Sequence, residues 1–403
     1  MESRGKILGG VLLVAGTTIG AAILALPVTT GLMGFYPSLA LFILYWLMMT
    51  YSALLFLEVN LWLPDENVNI ISMAKATLGG WGEAVAWILY LMLLYTLTTA
   101  YMAVSGPLFI KITALLTGWD APPWFGPLPL LFIFSFFVWE GAKYVDWVNR
   151  IFMALLAATF VILNLWLIPY VDTAHFAHVD LGYLPLTVAL IATSFGYHII
   201  IPTLTRYLHR DKGALLKVIL IGGAVPFVVN ALWEVMTLGV IPLPTLIEGY
   251  KGGQDAVQLI VGIIEDRRIL VVGQIFLFCA IVTSFLGVSL SLRDFLADGL
   301  GIKKTALGRW ILYFLTFVPP LGFALTTPRA FFNALDFAGA FGVILLLVML
   351  PVLMVWSGRY CRGFDSSRFR APGGRVLMCA VLTLSLVIVV FEICNKLGVF
   401  KLP

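Results

Sequence analysis

Apolar stretches follow one another along almost the whole chain, separated by short groups of charged residues, proline and glycine. A helix needs roughly 20 mostly apolar residues to cross a hydrocarbon core about 30 Å thick. The pattern therefore predicts an all-α membrane protein with about eleven transmembrane helices. The predicted spans cover residues 7–32, 38–63, 82–110, 124–141, 147–170, 184–206, 214–241, 269–296, 308–327, 331–357 and 375–396.

Composition supports the same class. Of the 403 residues, 61% are hydrophobic and 11% are charged, and the mean hydropathy is +1.01. A soluble domain of this length does not need so much apolar surface. The net charge of +4 is small and the four cysteines are scattered. We therefore expect the lipid bilayer as the main environment, no nucleic-acid partner, no obligate protein partner, no cofactor and no disulfide framework.

The distribution of basic residues predicts the orientation. Most of the 25 lysines and arginines fall in loops on the same side as the amino terminus when eleven spans are counted. Because such loops resist translocation, the amino terminus is predicted to be cytoplasmic. In the long loop after span seven, residues 254–265 carry Val257, Ile260, Val261 and Ile264 at helical spacing. We predict an amphipathic helix there on the outer face.

Two predicted spans contain residues that interrupt a helix. Span one has Gly16-Thr17-Thr18-Ile19-Gly20 and then Pro27, and span six has Ser194-Phe195-Gly196-Tyr197-His198 and then Pro202. Glycine lowers helix stability, and lipid cannot satisfy freed backbone groups. Broken backbone at this depth therefore lines a cavity or is buried in protein. The alternative is that these glycines only permit close helix packing.

Breaks in two spans five apart predict inverted repeats of five spans with a site at the membrane midplane. The whole chain, residues 1–403, then forms one transmembrane transporter domain. Repeat one covers about 7–170, repeat two about 184–357, and an extra helix about 375–396.

Freed N–H groups suit a carboxylate and freed carbonyls suit a cation, so a zwitterionic amino acid matches both breaks. We expect its carboxylate at the backbone of Thr18, Ile19 and Gly20, and its amino group near Ser194 and Phe195.

Around these breaks the sequence resembles the hydroxy and aromatic amino acid permeases, the family of bacterial tyrosine and tryptophan transporters. The similar strings are GTTIGAAILALP (16–27), LLFLEVNLWLP (54–64), SFGYHIIIP (194–202), WEVMTLGVIP (233–242), TSFLGVSLSLRDFLAD (283–298) and FAGAFG (337–342). The resemblance covers nearly the whole chain. It implies the five-plus-five fold of the leucine-transporter-type carriers and uptake across the bacterial inner membrane, commonly with protons. The tyrosine-specific branch is the most similar, which makes an aromatic amino acid the expected substrate.

Three side chains are candidates for proton coupling. Glu58 lies within span two, where it either carries a proton, supports the open backbone of span one or is purely structural. His198 either shuttles a proton, bonds the substrate hydroxyl or is a neutral core residue. Glu234 shares one face of span seven with Asn230, and we expect a structural polar contact there, with proton relay as the alternative.

The alternative coupling ion is sodium. Ala280, Thr283 and Ser284 in span eight resemble the pattern that holds sodium in relatives of this fold, together with carbonyls at Gly16 and Ile19. Oxygen ligands suit a hard cation. The competing interpretation is that these hydroxyls bond to the preceding helical turn.

An aromatic ligand needs apolar walls and a few polar groups. Asp146 and Arg150, four residues apart, form either a gate or an exposed pair of small energetic value. The candidate substrate-binding residues are Thr17, Thr18, Ile19, Gly20, Tyr95, Thr99, Ser194, Phe195, Gly196, Tyr197, His198 and Phe285.

Other functional classes fit the sequence less well. A membrane enzyme needs a metal-ligand set or a nucleophile with its base, and neither HExxH nor GxSxG occurs. A channel needs pore-lining rings or a filter repeat, which two unequal half-repeats do not suggest. No GxxxxGK[ST] phosphate-binding loop is present, so direct use of ATP by this chain is not expected. We predict a secondary transporter.

Overall fold

The computed structural model is helical throughout the residues that it describes, which are 2–63, 68–302, 305–327, 329–364 and 369–399. Within those ranges ten helices are long and apolar enough to cross a membrane, and one bent helix pair adds an eleventh span. The predicted all-α fold with eleven spans is therefore confirmed. In chain order the spans are Glu2–Thr18 with Ala22–Met33, Phe35–Trp62, Gly80–Thr117, Pro127–Glu140, Ala142–Leu167, Leu184–Thr193 with Ile201–Tyr207, Lys212–Val240, Arg267–Gly299, Ala306–Thr326, Ala330–Arg362 and Gly374–Lys396.

Both predicted breaks are present. The first helix of span one ends at Thr18 and the second begins at Ala22. The two helices are bent by 61° relative to each other. Span six loses its helix after Thr193, passes through a 3₁₀ turn at His198–Ile200 and continues as Ile201–Tyr207. The second half of span one packs against the first half of span six. The two interruptions therefore lie within one pair of packed helices.

Gly34 makes the turn between spans one and two. Its φ of +105° is unfavourable for other residues, and a Cβ there would lie 2.0 Å from the carbonyl oxygen of His178. The turn is so tight that span two begins at the next residue, Phe35. Spans one and two are thereby antiparallel neighbours.

Three short α-helices lie outside the spans in the part of the chain that the structure describes. Ile70–Leu78 is on the amino-terminal side, where Asn69 caps it by accepting from the N–H groups of Ile71 and Ser72. Leu243–Gly252 and Ala256–Ile263 lie in the long loop on the opposite side.

The predicted amphipathic helix in this loop is confirmed as Ala256–Ile263. Its apolar residues Val257 and Ile260 are buried against spans one and eight, so its apolar face covers protein. Asp255 caps the helix through the N–H of Gln258. Burial raises the pKa of Asp255 to about 6. The helix Leu243–Gly252 was not predicted.

Span ten contains a π-helical stretch, Ala338–Met349. Such stretches are rare and occur mostly at functional sites. A Cβ at Gly339 would lie 1.8 Å from the carbonyl oxygen of Ala189, so only glycine permits this contact between spans ten and six. Span ten therefore packs directly on the half-helix that leads into the span-six break.

Helix packing in the first five spans has counterparts in the next five. Span three packs against span ten, and span eight packs against span five. Span one packs against span seven, and span six against span two. Span three also contacts span four, as span eight contacts span nine. In each case the second contact follows from the first when every span number is raised or lowered by five.

Candidate binding site at the broken helices

The span-one break exposes backbone N–H groups where its second helix begins. The N–H of Ile19 donates to the carbonyl of Ala15 at 2.9 Å, so the prediction that this N–H is free for a carboxylate is wrong. Among the residues that the structure describes, we find no hydrogen-bond acceptor for the N–H groups of Gly20 and Ala22. The positive end of the Ala22–Met33 helix dipole is at the break, as predicted. Of the predicted donors Gly20 is free and Ile19 is not, and Ala22 adds a free donor further along the chain.

Ser284 of span eight caps this helix start. The N–H of Ala21 donates to Ser284 Oγ at 2.9 Å, and a Cβ at Gly20 would lie 2.7 Å from the same oxygen. Gly20 is therefore required for the close approach of span eight. Tyr101 of span three is also within hydrogen-bonding reach of Ser284. Spans one, three and eight thus meet through polar groups at the break.

Sequence reasoning missed Tyr101 and chose Tyr95 and Thr99 instead. The Tyr95 hydroxyl donates to the carbonyl of Leu315 at 2.8 Å, and the ring packs in a small apolar cluster of spans three, eight and nine. Thr99 donates back to the Tyr95 carbonyl in its own helix. The Tyr95 hydroxyl is therefore engaged with span nine, and its role as a wall of the site stays a prediction. The available signal was the buried polar stripe of Thr98, Tyr101 and Ser105 at helical spacing.

The span-six break presents the carboxyl end of its first helix. The N–H groups of Ser194 and Phe195 fold back onto the carbonyls of Ile191 and Ala192 at 3.1 and 3.2 Å. The carbonyl of Ser194 accepts from Asn230 Nδ2 of span seven at 3.4 Å. The negative end of the half-helix is therefore directed at the break, as the sequence predicted.

Aromatic residues pack around the break in span six. Phe195 and Tyr197 are buried, and the Phe195 ring lies 6.2 Å from that of Phe42 in span two. Phe285 of span eight is buried and stacks on Phe317 at 5.8 Å. These side chains give the region the apolar character expected beside an aromatic ligand.

Gly196 and His198 lie against neighbouring spans. A Cβ at Gly196 would lie 3.3 Å from Leu347 of span ten. The His198 ring is completely buried, 5.3 Å from the ring of Tyr197 and 6.2 Å edge-on from that of Phe56. This aromatic environment matches the interpretation of His198 as a neutral core residue.

Residues just before the span-one break differ in orientation. Thr17 is exposed and its hydroxyl donates to the carbonyl of Leu13, so Thr17 does not face the break. Thr18 is buried and donates to the carbonyl of Val14. Gly16 faces Met153 of span five, where a Cβ would lie 3.3 Å from the methionine methyl group.

Glu58 is bonded far from the span-one break. Its carboxylate accepts two hydrogen bonds from Arg359 at the end of span ten and one from the N–H of Ala371 at 2.7 Å. Arg359 also donates to the Ala371 carbonyl. Of the three interpretations of Glu58, support of the open span-one backbone is therefore wrong. The fixed ion pair favours the structural interpretation.

Glu234 and Asn230 share one face of span seven, as predicted, and that face joins the two broken spans. Asn230 bonds to Ser194 at the span-six break. One turn later, Glu234 Oε1 lies 2.5 Å from Thr30 Oγ1 in the second half of span one. Span seven is therefore bonded to both interrupted helices.

The hydroxyls of the possible sodium site are engaged within the protein. The Thr283 hydroxyl donates to the carbonyl of Cys279, one turn earlier, at 2.8 Å, and it lies 3.3 Å from the carbonyl oxygen of Ala280. Ser284 accepts from Ala21. Thr283 follows the pattern of hydroxyls that bond to the preceding turn.

Asp146 and Arg150 form a 2.8 Å ion pair whose side chains are 59% and 78% exposed. Such pairs contribute little. The pair is an exposed one, and its interpretation as a gate has no support.

Two interrupted membrane helices thus direct a helix amino end and a helix carboxyl end toward one region lined by buried aromatic side chains. This arrangement defines a polytopic α-helical membrane protein of the secondary-transporter class.

Sequence comparison identifies the family. The tryptophan/tyrosine permease family matches residues 3–392, and the chain belongs to that family. It is 33% identical over 407 residues to the tyrosine-specific transport system 1 of Haemophilus influenzae, covering 98% of both chains. It is 31% identical to the tryptophan-specific transport protein of Shigella flexneri, covering 94% of this chain and 93% of the relative. A more distant relative, at 25% identity and 96% coverage of this chain, is glutamine transporter 2 of Aliivibrio fischeri.

Family membership confirms the resemblance that the sequence strings indicated. The chain is a multi-pass membrane permease for amino acids and not an enzyme.

Proposed function

We propose that the chain imports aromatic amino acids, with tyrosine as the preferred substrate, by proton symport with alternating access. The observation that carries this proposal is the pair of breaks with opposite helix polarity at one region. The start of Ala22–Met33 offers N–H groups to a carboxylate, and the end of Leu184–Thr193 offers carbonyls to an ammonium group.

Buried aromatic side chains support an aromatic substrate. Phe195, Tyr197 and Phe285 offer flat apolar surfaces, and the hydroxyls of Tyr101 and Ser284 are polar groups beside the span-one break. The names of the relatives include both tyrosine-specific and tryptophan-specific transporters. Tyrosine is our choice between the two because the sequence strings are most similar to the tyrosine-specific branch.

Equivalent packing supports an inverted repeat of five plus five spans, with span eleven outside it. In this arrangement one repeat can rock against the other around the site at the breaks, which opens it to each side in turn. The location that follows is the bacterial inner membrane. The excess of basic residues in the loops on the amino-terminal side supports a cytoplasmic amino terminus.

Protons are the proposed coupling ion. The engagement of Thr283 and Ser284 in hydrogen bonds within the protein favours protons over the alternative, a sodium ion at those hydroxyls. Glu58 is held by Arg359, which leaves Glu234 and His198 as the coupling candidates that have no ion pair with any described residue.

The test is transport by the purified protein in vesicles. We expect labelled tyrosine to accumulate when a pH gradient, acidic outside, is imposed without sodium, and unlabelled tryptophan and phenylalanine to compete more strongly than glutamine. For one proton per substrate, the accumulation ratio rises about tenfold for each pH unit of the gradient. Accumulation that requires sodium and ignores pH would establish the alternative. Stronger competition by glutamine than by tyrosine would refute the aromatic assignment.

A further inference from the structure

Glu234 is a completely buried carboxyl of span seven whose hydrogen-bonding neighbours are hydroxyls. Its Oε1 lies 2.5 Å from Thr30 Oγ1, the Ser38 hydroxyl of span two is also nearby, and Oε2 has no hydrogen-bond partner among the described residues. An ionised carboxylate in such a place requires a compensating charge. The two hydroxyls supply none.

The hydrogens available at this position favour a protonated carboxyl. Thr30 has one hydroxyl hydrogen, and its oxygen is 2.7 Å from the carbonyl of Leu26. Ser38 likewise has one, and its oxygen is 2.6 Å from the carbonyl of Gly34. Carbonyls can only accept. If both hydroxyls donate to their carbonyls, the 2.5 Å contact between Thr30 and Glu234 needs a hydrogen from Glu234 itself.

Most charged groups on the elements packed against span seven have partners of their own. Glu58 pairs with Arg359, and Asp146 pairs with Arg150. The two aspartates at helix starts accept from backbone N–H groups. The charged side chains on or at the ends of those elements, among the residues whose side chains are described, are Lys6, Glu58, Lys143, Asp146, Arg150, Asp172 and Asp255.

A cavity of about 300 Å³ lies at the end of span seven opposite the amino terminus, and Glu234 itself is not part of its lining. Its lining includes Leu238, one helical turn after Glu234, and Gly31, the residue after Thr30. The wall also contains two imidazoles, His175 and His178. The cavity therefore comes within one helical turn of Glu234 and one residue of Thr30 along the chain.

Both histidines are held by backbone carbonyls at defined ring nitrogens. His175 Nδ1 is 3.0 Å from the carbonyl oxygen of Gly239, and His178 Nε2 is 2.8 Å from that of Leu32. Because a carbonyl only accepts, each of these nitrogens carries a hydrogen. The other nitrogen of each ring then keeps its lone pair and is available as a hydrogen-bond acceptor.

We propose that Glu234 is the carboxyl that carries the coupling proton and that it receives this proton through the cavity lined by His175 and His178. This inference rests on the proposed proton symport and assigns its proton site. A proton from water in the cavity neutralises the carboxylate. The neutral acid then bonds Thr30 and so joins the second half of span one to span seven. Asn230 of the same helix bonds to Ser194, so the protonated state is also linked to the span-six break.

The main test compares wild type with Glu234→Gln in vesicles. Gln keeps the shape and the hydrogen bond but cannot release a proton. We expect the accumulation driven by a one-unit pH gradient to fall from about tenfold to no accumulation, while tyrosine exchange without a gradient stays within about twofold of wild type. Glu392→Gln is the matched control, since Glu392 is an equally buried glutamate on span eleven, and it should accumulate tyrosine like wild type.

A second variant tests the access route separately. Leu238→Trp fills the cavity without altering the carboxyl. We expect slower uptake but an unchanged final accumulation ratio, because blocking a path changes a rate and not an equilibrium. An unchanged rate would refute the cavity as the route.

A measurement on the wild type covers the case in which Glu234→Gln does not fold. An apolar carbodiimide modifies protonated carboxyls. Peptide-resolved mass spectrometry should therefore find that labelling of Glu234 increases as the pH falls. Leu238→Trp should slow this labelling. Absence of labelling at acidic pH would contradict the proposal. So would pH-driven accumulation by Glu234→Gln equal to that of wild type. If wild type itself ignores the pH gradient, the proposed proton symport fails instead, which is a distinct result.

Discussion

Two glutamates of this membrane protein, Glu58 and Glu234, are both completely buried, yet their surroundings are opposite. Glu58 accepts from the guanidinium of Arg359 and from the N–H of Ala371. Among the described residues, Glu234 contacts the Thr30 hydroxyl, lies near that of Ser38 and has no charged partner. The first is therefore suited to a permanent charge, and the second to a carboxyl that is neutral in this conformation.

The contrast separates burial from function. A buried carboxylate with a bidentate arginine and a backbone donor stays ionised, because protonating it would leave the charge of Arg359 without a partner. A buried carboxyl with neutral partners can gain or lose its proton when its surroundings move. Burial alone therefore identifies neither role, and the partner decides.

Breaking the Glu58 ion pair should have the largest effect on stability. Glu58→Gln leaves Arg359 buried without its charge partner, which costs about 3–5 kcal/mol. We expect a large drop in the thermal unfolding midpoint in detergent and less protein in the membrane. The double variant Glu58→Gln with Arg359→Gln should recover much of the loss. A single variant as stable as wild type would show that the pair is not the fixed element described here.

Removing the cap at the span-one break should have an intermediate effect. Ser284→Ala leaves the N–H of Ala21 without its acceptor, at a cost of about 1–3 kcal/mol, and should weaken tyrosine binding because the helix start is no longer held. Thermal unfolding and equilibrium binding measure the two effects. Ser291→Ala is the control, since the exposed Ser291 hydroxyl bonds only to its own helix. Equal behaviour of the two variants would remove Ser284 from the site.

Glu234→Gln should change stability by only about 1 kcal/mol or less, because an amide replaces a neutral acid among hydroxyls. The measurement is thermal unfolding in detergent beside Glu58→Gln. A loss as large as that of Glu58→Gln would mean that Glu234 is charged and paired in the folded protein, which would abolish the contrast.

The exposed pair on span five should matter least. Arg150→Ala removes a solvent-exposed ion pair with Asp146, so we expect a change of about 0.5 kcal/mol or less and unaltered uptake. Loss of transport in vesicles would revive the interpretation of this pair as a gate.

Features set by local sequence could be predicted, and those set by distant partners could not. Glycine and proline disfavour helix at their own positions, so both breaks follow from the strings at Gly16–Gly20 and Ser194–His198. The role of Glu58 depends on Arg359, 301 residues further along the chain. No periodicity within span two carries that information.

Helix rotation explains the remaining errors. Thr17 and Thr18 are adjacent, but only Thr18 faces the interior, and span three directs Tyr101 toward Ser284 while Tyr95 bonds to span nine. These orientations depend on how neighbouring spans pack. A mostly apolar helix gives little information on that packing from its sequence alone, apart from a stripe of polar residues such as that of span three.

Equilibrium binding of labelled tyrosine to Gly20→Ala, compared with Gly322→Ala, tests the site at the breaks most directly. A Cβ at Gly20 meets the Ser284 oxygen at 2.7 Å, whereas a Cβ at Gly322 in span nine meets nothing within 4 Å. We predict a roughly tenfold weaker affinity or more for Gly20→Ala, equivalent to about 1.4 kcal/mol, and wild-type affinity for Gly322→Ala. Thermal unfolding checks that both variants are folded. Wild-type affinity in Gly20→Ala would contradict the account.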